Sequence, residues 1–173
     1  MRKICGLISL LLLSLVSSAS VYAASGKSKS DSHYYFGFGP GYFSNMNTRS
    51  LSADVATGVF WSLDPVFDLA ATVNFGFSME HNDVRFVSPQ LKGRYMFSEL
   101  PFTWYAGGGM GFGYGAAHDG DSAKGFSLSL AIGYRAYRQA RMQLSFEFEH
   151  QMILKESASG TPLLTSFKVG VHF

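Results

Sequence analysis

The sequence predicts an all-β protein, folded as an eight-stranded antiparallel up-and-down transmembrane β-barrel. From residue 34 onwards, apolar and polar residues alternate with a period of two, which is the period of a β-strand with one apolar face. The alternating segments have about the 9 to 11 residues that a tilted strand needs to cross a bilayer. Short and long connections also alternate along the chain, as in an up-and-down barrel.

The first 23 residues have the features of a cleaved secretory signal peptide. A short basic region ends at Lys3, residues 4–16 form an almost unbroken apolar run, and small residues lead to a cleavage site after Ala23. A transmembrane anchor is the alternative, but the run is shorter than the roughly 20 residues that a spanning helix needs. Cys5 would be removed with this segment, so we expect no disulfide and no thiolate metal ligand.

The mature chain is predicted to be electrically neutral. Removal of Arg2 and Lys3 lowers the number of basic residues from 14 to 12, which equals the number of acidic residues. This balance gives no support for a nucleic-acid partner. The small and polar residues 24–33 are predicted to be a flexible periplasmic lead-in, and residues 34–173 are predicted to form the barrel as one domain.

The predicted strands are separated by breaks rich in Gly, Pro, Asn and Asp. They span residues 34–43, 52–61, 66–78, 84–97, 102–115, 125–135, 142–153 and 163–173. The longer and more polar connections lie near residues 44–51, 79–83, 116–124 and 154–162. An even number of strands returns both termini to the short-turn end. We therefore expect both termini in the periplasm and the four longer loops outside the cell.

Each predicted strand has one bulky apolar face and one small or polar face. On the seventh strand, Leu144 and Phe148 alternate with Ser145 and Glu149, and on the fifth strand glycine occupies every second position within residues 107–115. A narrow eight-stranded interior accommodates small side chains better than Phe or Leu. We therefore expect the bulky faces to contact lipid and the small faces to line the lumen.

Aromatic residues cluster near the short-turn ends of the predicted strands. Such rings favour the boundary between the hydrocarbon and the headgroups, so the cluster predicts an aromatic girdle at one membrane interface. Its members are Trp61, Phe67, Tyr95, Phe97, Phe102, Trp104, Tyr134 and Phe173.

The faces predicted to line the lumen carry equal numbers of acidic and basic residues. Because an unpaired charge in a narrow lumen costs several kcal/mol, we expect a salt-bridge network that plugs the barrel, with Lys168 beside Glu147 or Glu149. A conducting pathway is the alternative, but its walls would carry an excess of one sign and its interior would be wider. The predicted network comprises Asp54, Asp68, Lys92, Arg94, Arg135, Glu147, Glu149 and Lys168.

Two prolines lie inside predicted strands of a barrel that has no free edge. Because proline cannot donate a ladder hydrogen bond, we expect bulges or local breaks at Pro40 and Pro89. The outward phase of the fourth strand runs from Phe97 to Leu91 and is unclear beyond Val87, which predicts a slip near Pro89.

The alternating strands, the signal peptide and the C-terminal segment FKVGVHF resemble the small eight-stranded outer-membrane barrels of Gram-negative bacteria, the group of the OmpA transmembrane domain and OmpX. The resemblance implies a monomer in the outer membrane, in contact with its lipid and lipopolysaccharide. It also implies that the barrel-assembly machinery recognises the last strand through Phe173. We predict a structural or surface-interaction role, and a small pore or carrier for small or apolar solutes is the alternative.

An enzyme is a third alternative, because the outer-membrane lipid A deacylases share this architecture and carry a His-x-Ser-Asn motif on a late strand. His150 lies at the matching place, in phase with apolar residues such as Phe148. Met152 and Ile153 stand where the motif has Ser and Asn, so the nucleophile is missing. We expect no catalytic residue, and His150 matters only under this alternative.

Two further patterns give no support for a cofactor or a metal. Residues 111–116 match G-x-G-x-x-A, but a polar loop follows them in place of the helix that a dinucleotide site needs. Asp119 and Asp121 could touch a divalent cation, but calcium needs about 6 to 8 oxygen ligands. We predict no cofactor and no metal.

Overall fold

A computed structural model describes residues 32–45, 48–79, 84–116, 122–137, 141–154 and 161–173, which form a closed barrel of eight antiparallel strands in chain order. The predicted fold class is therefore confirmed. The strands are β1 (Ser32–Asn45), β2 (Thr48–Asp64), β3 (Phe67–Ser78), β4 (Val84–Met96), β5 (Thr103–Ala116), β6 (Ser122–Ala136), β7 (Gln143–Leu154) and β8 (Leu163–His172).

Several predictions concern residues outside the described part of the chain. The signal peptide, the first residues of the lead-in, and the pair Asp119 and Asp121 all lie there. Among the described residues, no helix has the length and apolar composition needed to cross a membrane.

The strands are longer than predicted at the long-loop end. β2 begins at Thr48 and β6 begins at Ser122, so parts of the loops expected at 44–51 and 116–124 are paired strand. Their polar residues carry a weak alternating signal, but backbone pairing with the neighbouring strand still satisfies their hydrogen bonds. At the other end, β1 begins at Ser32, inside the predicted lead-in.

Pairing of β1 with β8 closes the barrel. The backbone groups of Tyr34 and Phe173 exchange two hydrogen bonds of 2.8 and 2.9 Å, and their rings stack with centroids 6.2 Å apart. When the cross-strand pairs are followed once around the barrel from Trp61, the path returns to β2 at Leu51, ten residues away. With about 3.3 Å per residue and about 4.8 Å between strands, this stagger tilts the strands by about 40°.

Pro40 and Pro89 each interrupt one ladder. The pairing of β1 with β8 skips Gly39 and Pro40, and the pairing of β4 with β5 skips Ser88 and Pro89. On its other side, each proline remains paired with the neighbouring strand. Local breaks therefore occur at both prolines, because the missing N–H affects only one side of the strand.

The slip predicted near Pro89 lies beyond Val87, at the start of β4, and not at the proline itself. The buried phase of β4 continues without interruption from Met96 to Phe86. The register with β3 shifts beyond that point, between the pair of Phe86 with Gly76 and the pair of Val84 with Phe77. A proline removes a hydrogen bond without adding a residue, so it does not by itself change the face on which later side chains lie.

The distribution of side chains is the inverse of that in a water-soluble barrel. Bulky apolar residues point outward, with Phe112 71 % exposed and Leu130 68 % exposed, whereas all eight residues of the predicted charge network are at most 4 % exposed. Polar residues such as Ser127 and Gln151 are fully buried beside them. The outward faces are thus apolar and the lumen is polar.

The glycines of β5 leave the lumen face of this strand without side chains at their positions. A Cβ atom at Gly107 would lie 2.7 Å from the carbonyl oxygen of Gly93 and 3.0 Å from Cγ of Arg94. A Cβ atom at Gly109 would lie 2.7 Å from Cγ of Lys92. β5 therefore has no room for inward side chains at the positions where Lys92 and Arg94 pack against it.

We predict that Gly107→Ala lowers the free energy of unfolding by about 1–3 kcal/mol, because the added methyl group meets backbone that cannot yield. The measurement is urea unfolding of the barrel in lipid vesicles, followed by tryptophan fluorescence. Gly93→Ala is the matched control, since its Cβ would point outward and lie 3.3 Å from the movable ring of Phe67. Equal stability of the two variants would contradict the tight lumen wall.

Candidate functional site

The centre of the lumen contains an ionic cluster around Lys168. Its ammonium group bonds to Glu149 and lies 3.2 Å from Oδ2 of Asp54 and 3.6 Å from Oε1 of Glu147. Lys92 bonds to the other carboxylate oxygen of Glu149, Oε1. These residues come from β2, β4, β7 and β8, so the cluster joins strands across the barrel.

Arg94 extends the cluster towards the short-turn end. Its guanidinium pairs with Glu147, whose Oε2 also accepts a 2.8 Å hydrogen bond from the Tyr105 hydroxyl. The guanidinium carbon lies 4.2 Å from the centroid of the Phe60 ring and 4.8 Å from that of Tyr105. Arg94 is therefore held by both a carboxylate and aromatic faces.

A separate ion pair lies nearest the short-turn end. Arg135 on β6 pairs with Asp68 on β3, and the hydroxyl of Ser62 donates a 2.7 Å hydrogen bond to the same carboxylate. The eight residues singled out from the sequence therefore form two groups. Six belong to the cluster around Lys168 and Arg94, and two form the ion pair near the short-turn end.

A layer of neutral polar side chains lies on the long-loop side of the charges. Ser88 donates to Ser127 at 2.8 Å, and Ser129 donates to Gln90 at 2.8 Å. These bonds connect β4 to β6 across β5, whose glycines leave the space between them open. The layer continues the cross-lumen linkage without adding net charge.

Two clusters of buried apolar side chains also lie in the lumen. At the long-loop end, Phe43, Phe86, Ile153 and Leu164 pack together and are at most 2 % exposed. Towards the short-turn end, Tyr35 and Phe60 pack edge to face at 5.4 Å and belong to a second buried cluster. The ionic cluster around Lys168 therefore lies between the two apolar clusters, whereas the pair of Arg135 and Asp68 lies nearer the short-turn end.

Several lumen residues were not singled out from the sequence. Tyr35, Tyr105, Phe60 and His172 all lie on inward positions, and the His172 ring is 4.8 Å from Tyr35 and 5.1 Å from Phe60. Strand phase alone places them inside. Their packing around Arg94 depends on the stagger between strands, which no single strand reveals.

His150 faces outward, away from this network. Its Nδ1 atom lies 2.8 Å from the Thr165 hydroxyl on the neighbouring strand. A hydroxyl is thus within reach, contrary to the sequence-based expectation. Met152 also faces outward and Ile153 packs in the lumen, so the residues that stand in place of the deacylase Ser and Asn point in opposite directions.

The described residues contain no cluster of three or more histidine, cysteine, aspartate or glutamate side chains suited to a metal ion. The lumen carboxylates instead face lysine and arginine side chains.

Solved structures of small membrane barrels share this fold. Neisserial surface protein A superposes with a TM-score of 0.69 at 11% identity, covering 84% of this chain and 98% of that one. The N-terminal barrel of Pseudomonas aeruginosa OprF gives 0.56 at 10% identity, covering 84% and 100% of the two chains. Yersinia pestis Ail, the attachment invasion locus protein, solved with the heparin analogue sucrose octasulfate, gives 0.52 at 10% identity, again covering 84% and 100%.

No protein-family model matches the sequence, and no curated protein matches it. At these low identities the structural likeness shows the fold. The chain therefore has the architecture of the small eight-stranded outer-membrane barrels.

We predict that Lys168→Met lowers the free energy of unfolding by about 3–5 kcal/mol, because it leaves the carboxylates of Asp54 and Glu149 buried without their shared counter-charge. Urea unfolding in lipid vesicles measures the effect. Lys124→Met is the matched control, since Lys124 is exposed on the outer wall and its ammonium lies 5.8 Å from the Tyr114 ring centroid. A change no larger than that of the control would indicate a hydrated lumen.

Proposed function

We propose that this chain is an integral outer-membrane β-barrel of structural or surface-interaction type, with a lumen that is closed to solutes. The observation that carries the proposal is the inverted distribution of side chains, with bulky apolar residues outside and paired charges inside. In water, such a continuous apolar outer surface would promote aggregation. In a bilayer, the same surface is solvated by acyl chains.

The aromatic residues at the short-turn end support this location. Tyr95, Phe97, Phe102, Trp104 and Phe173 are all between 48 % and 59 % exposed. Rings of this kind stabilise a barrel where the hydrocarbon meets the headgroups. We assign the short-turn end, with both chain termini, to the periplasm and the long-loop end to the cell exterior.

The closed lumen argues against the pore and carrier alternatives. A conducting path needs a continuous wet route, and its walls usually carry an excess of one sign. Here each acid of the network contacts a base, and one apolar cluster lies on each side of the ionic cluster around Lys168. An ion would have to break buried pairs and pass both apolar clusters.

A surface role is supported by the location of the exposed polar groups. The charged lumen side chains are buried, so a water-soluble partner can meet only the strand ends and loops. One structural neighbour is named a surface protein, Neisserial surface protein A, and another is named the attachment invasion locus protein. Outer-membrane lipid and lipopolysaccharide are the expected surroundings of a monomeric barrel, and recognition of Phe173 by the assembly machinery remains a prediction.

We predict that the full chain, produced in a Gram-negative host, fractionates with the outer membrane. It should resist extraction by carbonate and high salt, because the apolar band is anchored by acyl chains rather than by charge. Immunoblotting of density-gradient fractions, with a soluble periplasmic protein and an inner-membrane protein as controls, measures this. Recovery of the folded chain with the soluble periplasmic marker would refute the membrane location.

We predict that the folded barrel gives no discrete current steps in a planar bilayer. Salt bridges and apolar clusters block the lumen, so even small ions lack a continuous path. Single-channel recording measures this, with insertion verified by protection of the strands from added protease. A known porin added afterwards is the control for the recording, and reproducible steps from the barrel alone would overturn the closed lumen.

A further inference from the structure

The outer wall of the barrel contains a groove of about 540 Å³. Its floor includes Gly93 on β4 and Gly108 on β5, which pair directly with each other and have no side chains to fill the surface. Larger apolar side chains rise around this floor. They are Leu69, Leu91, Met110, Leu128, Leu130 and Met152.

A polar group interrupts this apolar lining at one side. His150 contributes to the groove and pairs across the ladder with Leu130 and Thr165. The Nδ1 atom of the imidazole is hydrogen-bonded to the Thr165 hydroxyl. The described residues provide no hydrogen-bond partner for the other ring nitrogen, Nε2, which is left facing an apolar environment at a cost in free energy.

The level of His150 in the barrel is compatible with an outer-leaflet lipid. It lies four residues beyond Phe146 and four residues before Leu154, the last residue of β7. With a rise of about 3.3 Å per residue and a tilt of about 40°, each interval spans about 10 Å along the barrel axis. His150 is therefore within about 10 Å of the long-loop end of its strand, on the side assigned to the cell exterior.

On the basis of the proposed membrane location, we propose that the groove binds one acyl chain of an outer-leaflet lipid, with Nε2 of His150 hydrogen-bonded to a hydroxyl, ester or amide group on that chain. The groove is continuous with the apolar band that acyl chains cover, and its floor lies below the surrounding side chains. A polar substituent on the chain satisfies the free ring nitrogen. Lys92 and Ser129 also line the groove, but their side chains are buried and bonded in the lumen. The apolar walls, the recessed floor and the outward His150 side chain thus match one ligand.

A lipid chain fits this site better than a second copy of the barrel. Another barrel would present a convex surface of bulky residues such as Phe112 and Phe148. Their rings are too wide to enter a groove floor that spans only one pair of strands. The site is also suited to binding rather than cleavage. The described residues place no carboxylate next to His150 to orient it as a base for Thr165.

The test compares two lipid probes, a monoacyl lipid with a 3-hydroxytetradecanoyl chain and the same lipid with a plain tetradecanoyl chain. The protein purified from membranes is delipidated, mixed with each probe, and analysed by native mass spectrometry. Gly108→Leu fills the floor from outside, and His150→Phe keeps an aromatic side chain but removes the ring nitrogens. Ala106→Leu is the matched control, because Ala106 lies outward on the same strand but does not line the groove.

The wild-type protein and Ala106→Leu should retain the hydroxylated probe about 2- to 10-fold better than the plain probe, the preference that one hydrogen bond supplies. His150→Phe should lose this preference and still bind the plain probe. Gly108→Leu should reduce the binding of both probes. If Gly108→Leu does not fold, Gly93→Ala narrows the floor with a smaller change, because its Cβ would approach only the Phe67 ring, at 3.3 Å.

Unchanged binding of the probes by Gly108→Leu would overturn the proposal. A wild-type dimer that Gly108→Leu dissociates would also overturn it, because the groove would then bind a second copy of the barrel. Hydrolysis of a bound probe would replace the binding role with a catalytic one. Failure of the proposed function is distinguished by a separate readout, since a barrel that does not co-sediment with lipid vesicles is not a membrane protein at all.

Discussion

The pairing of charges inside a narrow lumen is the constraint on which the rest of this barrel depends. The interior of an eight-stranded barrel is just wide enough for side chains to fill, so each buried charge needs a partner within the protein. Lys168 meets that need for three carboxylates from β2 and β7, while Arg135 connects β6 to β3. The ion pairs therefore tie together strands that are distant around the wall, in addition to the backbone ladders that join neighbours.

The glycines of β5 follow from the same constraint. Cγ of Arg94 would lie 3.0 Å from a Cβ at position 107, and Cγ of Lys92 would lie 2.7 Å from a Cβ at position 109. The long aliphatic stems of these cations lie against β5 and carry the charged groups across to the carboxylates of β7. Missing side chains on one strand thus create the space that long side chains from its neighbour occupy.

The sequence alone was sufficient to predict the barrel, because period-two alternation fixes which residues share a face. The inward phase also identified the residues that could carry lumen charge. The particular contacts could not be predicted, since they depend on a ten-residue stagger that accumulates around the whole sheet. The aromatic contacts of Arg94 and the bond between His150 and Thr165 both join separate strands, so neither has a signature within one strand.

Because side chains alternate between the inner and outer faces of the wall, amino-acid substitutions on the two faces have different effects. Arg94 faces the lumen and is held by Glu147 and two rings, whereas the adjacent Gly93 faces outward beside the movable ring of Phe67. A substitution on the outer face therefore leaves the ionic network largely intact, because the two faces share backbone but few side-chain contacts. The outer wall and the loops are consequently the parts of this fold that can acquire a specific ligand without loss of the barrel.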